Sequence, residues 1–232
     1  MTCFSHRLDD VKARIFRACE RYGRDPSAIR LLAVSKRHGL EAVREALAAG
    51  QTEFGENFVQ EAIPKIEATA DSDARWHFIG HLQSNKTALA AAHFDWIHSI
   101  DRVKIARRLS DQRPHHAPPM QACIQVRLGA EDTKSGAAPD EVPELAAAVA
   151  ELPRLRLRGL MAIPPPAEDF DTQRGFFRQL RELQERLVET GLELDTLSMG
   201  MSADLEAAIA EGATLVRVGT ALFGPRPPVE TG

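Results

Sequence analysis

Short strand-forming runs alternating with longer helical patterns are the feature that most limits how this chain can fold. The runs fall at 30–35, 52–55, 75–80, 95–99, 120–128, 155–162, 195–200 and 214–218, each followed by enough residues for a helical crossover. Strands joined in this way lie parallel and need both faces of their sheet covered. Eight such units predict an α/β fold, a single (β/α)8 TIM-type barrel. An extra N-terminal helix precedes it, with Leu8, Val11, Ile15 and Cys19 on one face. Near the other end, Phe176, Leu180, Leu183 and Leu187 repeat that spacing, and Gly191 follows as a C-terminal cap. The Ala-rich stretches 41–49 and 144–150 read as helices packed closely on the sheet. A doubly wound open sheet is the competing arrangement, but no G-x-G-x-x-G turn follows an early strand.

With 232 residues there is material for one sizeable core, so 1–232 is read as one domain. The proline clusters Pro114 to Pro119 and Pro164 to Pro166 are connections between units, not a domain linker. A formal net charge of -4 argues against nucleic acid or an anionic membrane as a partner. No apolar stretch approaches the ~20 residues of a membrane span. The opening Met-Thr-Cys-Phe-Ser-His-Arg has no apolar segment of a secretory signal. Cys3, Cys19 and Cys123 are scattered and not spaced as metal ligands, which fits a reducing cytoplasm. Nothing in the pattern demands an oligomer, and a monomer is expected.

Within the barrel reading, chemistry belongs at the C-terminal strand ends. Lys36, Asn57, His81, Ser99, Lys134, Ser202 and Thr220 fall there. Lys36 ends the run Leu31-Leu32-Ala33-Val34-Ser35-Lys36, where Leu32 and Val34 share its face. A lysine partly desolvated in this way is expected to have a lowered pKa and a nucleophilic amine, the chemistry of a Schiff-base lysine. A stem lying along the sheet with its ammonium in water fits the same spacing.

The sequence Met199-Gly200-Met201-Ser202 leads into a helical pattern that Ser202 would N-cap, and Gly219-Thr220 ends the next strand. Barrels often bind phosphate with the loops after strands seven and eight. An ordinary cap and an ordinary turn are the alternatives, and Asp204 and Glu206 disfavour an anion unless they point outward. In Thr214-Leu215-Val216-Arg217-Val218-Gly219, alternation turns Leu215, Arg217 and Gly219 inward. An inward guanidinium needs an acceptor, either a buried carboxylate or a ligand ring nitrogen. A lysine, an inward arginine and a phosphate cradle at one mouth describe pyridoxal phosphate.

The residue series is long and ordered: Leu32-Ala33-Val34-Ser35-Lys36, Phe54-Gly55-Glu56-Asn57, the stretch from Trp76 to Lys86, Lys134-Ser135-Gly136, Gly159-Leu160-Met161, Ser198 to Ser202, and Val218-Gly219-Thr220. It resembles the pyridoxal phosphate homeostasis proteins, a family similar to the N-terminal barrel of alanine racemase, from about residue 8 to Arg226. The resemblance implies pyridoxal 5′-phosphate in a Schiff base with Lys36. Ser202, Gly219 and Thr220 would hold the phosphate, Arg217 would face the pyridine nitrogen, and Asn57 and Met199 would form walls. His81 sits where the family varies and receives no role.

A racemase of this fold needs a second base on the opposite face of the cofactor, typically a tyrosine from an added domain. The one tyrosine here is Tyr22, in the first helix. An arginine facing the ring nitrogen also leaves that nitrogen unprotonated and makes the cofactor a poor electron sink. The expectation is a non-catalytic protein that holds the aldehyde and delivers it to apo-enzymes, with Lys134 as a transient acceptor during release. A small enzyme with weak amino-acid racemase activity is the alternative.

Overall fold

The computed structural model describes residues 3–129 and 135–225. Eight parallel strands close into a barrel in sequence order. They are β1 (Arg30–Val34), β2 (Glu53–Glu56), β3 (Arg75–Phe78), β4 (Trp96–Ile100), β5 (Met120–Gln125), β6 (Leu155–Met161), β7 (Thr196–Ser198) and β8 (Leu215–Val218). β8 returns to β1 with Leu32 opposite Arg217, so two site-bearing strands are neighbours despite their distance in sequence. The runs at 120–128 and 195–200 are longer than the strands they form, because their last residues leave the ladder to build loops at the mouth.

The extra helix α1 (Phe4–Tyr22) buries Leu8, Val11, Ile15 and Cys19, as their spacing requires. The crossovers are α2 (Leu40–Ala48), α3 (Val59–Glu67), α4 (Thr87–His93), α5 (Val103–Gln112), α6 (Val142–Ala150), α7 (Phe170–Glu189) and α8 (Leu205–Ala210), and the short α9 (Thr220–Phe223) follows β8. In α7 it is Phe177 that is fully buried, with Phe176 only partly covered. Gly191 follows the cap residue Thr190 at φ +95°, the left-handed conformation expected after a helix.

Outward residues of the strands, among them Ala33, Phe54, Ile97, Val216 and Val218, pack under the helices as the main core. The lumen is filled separately. Leu32, Val34, Ile79 and Leu215 form one apolar cluster there, and Trp96, Cys123 and Met161 another. Gly55 makes room for the first, since a Cβ there would sit 3.0 Å from the Leu32 side chain.

Gly159, at φ +155°, lets β6 meet β7: a Cβ would stand 1.8 Å from the Thr196 carbonyl oxygen. Gly159→Ala should therefore cost about 3 kcal/mol or more, through backbone strain and a forced separation of two paired strands. Gly175→Ala, in α7 with nothing within 4 Å of its Cβ position, should instead be neutral or stabilising by up to about 1 kcal/mol. Urea unfolding of the two variants checks the contrast.

Candidate functional site

A pocket of about 280 Å³ opens at the C-terminal mouth of the barrel, close to the lower bound for small-molecule sites. Its polar lining is Lys36 from the end of β1, Asn57 after β2, Ser202 after β7, and Arg217, Gly219 and Thr220 from β8 and its loop. Val34, Ile79, Ile163, Met201 and Ala203 supply the apolar walls. Lys36 is half-buried. The Asn57 Oδ1 is buried and has no hydrogen-bond partner among the described residues.

On the helix side of the sheet a charged brace grips both neighbours of Lys36. Ser35 Oγ donates to Glu56 Oε1 at 2.7 Å, and Lys65 Nζ from α3 donates to the same oxygen at 2.8 Å. Lys65 also donates to the Ser35 carbonyl at 3.2 Å and to Glu61 Oε1 at 3.1 Å. Glu61 in turn accepts the Arg37 N–H. Among the described residues Arg37 is the one non-glycine at positive φ, +64°, so its backbone is strained and held by this contact. Burial pushes the Glu56 carboxyl above its ordinary pKa, while Lys65 and Ser35 pull it back.

The loop after β7 is shaped by Asp204, whose Oδ1 accepts the Met201 N–H at 2.6 Å. Asp204 rather than Ser202 occupies the N-cap position of α8, which starts at Leu205. Ser202 lies in the turn before it. Arg14 of α1 donates to the Ser202 carbonyl at 2.6 Å and forks onto Glu206 at 2.5 and 2.6 Å. Glu206 is thereby turned to α1, and its pKa falls through the Arg14 hydrogen bonds. Arg7 donates to the Leu222 carbonyl and Phe4 packs on Phe223 with ring centroids 5.2 Å apart, so α1 grips the segment after β8 as well. Gly219 is the N-cap of α9, leaving the first-turn N–H groups of Thr220 and Ala221 without an intrahelical acceptor.

Below the pocket, Arg217 is buried in the lumen. Its Nη1 donates to the Ser198 carbonyl at 2.6 Å and to Ser198 Oγ at 2.9 Å, and its Nη2 donates to the Ala162 carbonyl at 2.9 Å. Burial lowers its pKa to about 10, so it stays charged at neutral pH. Ser198 Oγ lies 2.9 Å from His98 Nδ1, and His98 Nε2 lies 2.9 Å from His77 Nδ1. Burial holds both imidazoles well below the ordinary histidine pKa, helped at His77 by His98, Arg30 and Arg75 and at His98 by Arg217 and Arg30. Glu53, 3.9 Å from His77 Nε2, does not reverse this, because Arg30 pairs with it at 3.1 Å.

The chain matches the family model "Alanine racemase, N-terminal domain" over residues 7–227. It is 56% identical over 226 residues to the pyridoxal phosphate homeostasis protein of Pseudomonas aeruginosa, covering 97% of each chain. Identity to the protein of that name from Escherichia coli K12 is 52% over 229 residues, covering 97% of this chain and 98% of the relative. This chain belongs to the pyridoxal phosphate homeostasis protein family. Among solved structures, PipY of Synechococcus elongatus without PLP superposes with a TM-score of 0.85 at 40% identity, covering 95% of this chain and 100% of that one. The PLP-bound form of PipY gives 0.84 at 39% identity with the same coverage. Alanine racemase of Clostridium difficile, at 13% identity, TM-score 0.75 and 58% of its length, shares the barrel fold.

In this homeostasis-family barrel Lys36, Asn57, Ser202, Arg217, Gly219 and Thr220 meet at one pocket. Met199 does not join them. Ser198 points into the lumen, so alternation turns Met199 toward the helices, where it is fully buried in the main core, and Met201 takes the wall position. The acceptors of Arg217 are neutral oxygens, not a buried carboxylate. His81 is exposed in a neighbouring groove, 3.4 Å from Ser135 Oγ. Ser99 is buried off the pocket, Tyr22 stacks on Phe170 at 5.9 Å, and Lys134 lies outside the described residues. The brace and the imidazole pair had no predicted role. Their signals were a lysine on the buried face of α3 with Val59 and Ala62, and histidines at inward positions of β3 and β4.

The brace and the imidazole pair each have a measurable consequence. Lys65→Met strands the Glu56 carboxyl in the core and should cost about 3–5 kcal/mol, with most of it regained in Glu56→Gln/Lys65→Met; urea unfolding measures both. His77 and His98 stay neutral in the fold but protonate when unfolded near pH 6.5. Their stabilisation is present above that pH and is lost as pH falls, with a slope approaching about 2.7 kcal/mol per unit for the pair. Glu56, shifted upward, acts in the opposite sense and favours the fold in acid. Unfolding free energies between about pH 8 and 5, compared with His98→Asn, test the histidine slope.

Proposed function

We propose that this chain binds pyridoxal 5′-phosphate at the barrel mouth and keeps the aldehyde available to other enzymes without substantial turnover of its own. The observation that carries this reading is the lining of the mouth pocket. Among the described residues it offers one amine, Lys36, one guanidinium, Arg217, hydroxyls and backbone donors, but no carboxylate, imidazole or phenol. The PLP-bound state of PipY and the names of the relatives support the choice of ligand.

The residues fit the group. Lys36 would hold the aldehyde carbon covalently. The hydroxyls of Ser202 and Thr220 and the N–H groups at Gly219 and Thr220 receive the phosphate. Asn57 would contribute its unpartnered oxygen, and Arg217 would offer a remaining N–H to the ring nitrogen, an arrangement that disfavours a proton there. Once bound, the cofactor supplies a carbonyl that condenses with primary amines. A second proton-transfer group on the opposite face, which racemisation requires, is not among the lining residues. Ile163 and Met201 wall the pocket yet are 42% and 37% exposed, so no described residue seals it against release. The recipients are apo-enzymes, and the carrier acts as a monomer in the cytoplasm.

Borohydride reduction of the PLP-loaded protein and peptide mapping test the site. The label is expected on Lys36, and Lys36→Ala should lose the visible absorption band. A label on Lys86 with Lys36 unmodified would sink the assignment. Reactivation of an apo-enzyme by the loaded chain, alongside solvent deuterium exchange into a panel of amino acids, separates the two functions. Transfer with negligible exchange is expected, and brisk exchange would establish the racemase reading instead.

A further inference from the structure

The two buried imidazoles form a hydrogen-bond chain whose direction the geometry fixes. Ser198 Oγ already accepts from Arg217 Nη1 at 2.9 Å, so its own hydrogen needs an acceptor, and His98 Nδ1 stands 2.9 Å away. His98 then carries its proton on Nε2 and donates it to His77 Nδ1, also at 2.9 Å. His77 must therefore carry its proton on Nε2, a buried atom with no hydrogen-bond partner that faces Glu53 Oε2 at 3.9 Å. The opposite polarity would aim a bare nitrogen lone pair at that carboxylate. It would also place two donors on Ser198 Oγ and leave the hydroxyl hydrogen with no acceptor.

The surroundings make this direction permanent. Trp96 lies almost parallel to His77, with an interplanar angle of 8° and centroids 5.2 Å apart, and closes off its ring face. Arg30, above Trp96 at 4.6 Å, and Glu53 form an ion pair at the far end. At the near end lies the cation of Arg217, whose field also opposes a proton on His98. A chain between these ends orders dipoles and does not shuttle charge.

We propose that His98 and His77 are positioning residues for Arg217: they lock the Ser198 hydroxyl as its acceptor and so fix which guanidinium hydrogens face the mouth pocket. This rests on the reading of that pocket as the pyridoxal phosphate site. Without His98 the Ser198 hydroxyl hydrogen has no fixed acceptor, so the Oγ lone pair is no longer held toward Arg217 Nη1 and that bond weakens beside the two carbonyl acceptors. The guanidinium then swings, and the donor aimed at the cofactor ring is no longer held in place.

Nitrogen-15 NMR of the unloaded wild-type chain tests the direction itself. Both rings are expected as neutral Nε2–H tautomers from about pH 6 to 8, and an Nδ1–H or a charged ring at either position overturns the proposal. Two variants test the consequence for the cofactor. His98→Leu removes the acceptor and should weaken pyridoxal phosphate binding about tenfold and move the visible band or its pH midpoint. His98→Asn restores an oxygen acceptor near the Nδ1 position and should bring both back to within about threefold of wild type. A folded His98→Leu with unchanged affinity and spectrum shows that the chain only fills the lumen, and the proposal fails. If His98→Leu does not fold, the wild-type tautomers and the spectrum of His98→Asn decide. A wild type that takes no label on Lys36 would overturn the reading of the site, a result separate from the tautomer measurement.

Discussion

Arg217 carries its charge in the lumen of a barrel packed on one side by Leu32, Val34, Ile79 and Leu215, where an unmet guanidinium costs several kcal/mol. A carboxylate partner would satisfy it but would also neutralise the charge beneath the mouth. This chain uses neutral oxygens instead: two from Ser198 and the carbonyl of Ala162. Among the described residues no carboxylate is hydrogen-bonded to Arg217, and the charge of Asp204 reaches it only through space. The choice propagates, because a hydroxyl that accepts must also donate. His98, then His77, then the Arg30–Glu53 pair at the other end of the barrel follow from that one requirement.

The fold was legible because its signals are repeated: eight strand runs, crossover-length gaps and a consistent alternation that put Leu215 and Arg217 inside and Val216 and Val218 outside. The meeting of Lys36, Asn57, Ser202, Arg217, Gly219 and Thr220 at one pocket was legible for the same reason, since they sit at the ends of those strands. Single-residue competition was harder to read. Ser202 and Asp204 are both good caps by type; Asp204 takes the N-cap position without a side-chain cap bond, its Oδ1 turning back to the Met201 N–H and closing the turn that holds Ser202. Met199 was a wall residue by resemblance alone; after the three-residue strand Thr196–Ser198 it turns outward into the main core, and Met201 lines the pocket. The brace could not be read from spacing alone. Glu56, Glu61 and Lys65 resemble solvated helix and loop charges until the barrel folds Ser35 onto them.

The two cationic groups of the site are thus held by opposite physics. Lys36 is fixed from outside the sheet by a network of formal charges that grips the residues on either side of it and leaves its own side chain to the pocket. Arg217 is fixed from inside by neutral dipoles that bind its side chain directly. Removing one partner of the charged brace leaves an uncompensated carboxyl in the core, a loss felt mainly as stability. Disturbing the neutral chain costs less in folding and acts mainly on where Arg217 points.

The added helix α1 belongs to the same arrangement. The seven crossovers α2 to α8, with α9 after β8, already cover the sheet, so a further helix must stabilise something they leave loose. Here that is the pair of short helices α8 and α9, of six and four residues, too short to hold their own ends in water. Arg14 ties the Ser202 carbonyl and Glu206 to α1, while Arg7 and Phe4 hold the segment after β8. Both loops proposed to receive the phosphate are anchored from behind by one helix, through contacts that leave their pocket faces clear. A cradle of backbone donors works only while its backbone is still, and α1 supplies that stillness without entering the site.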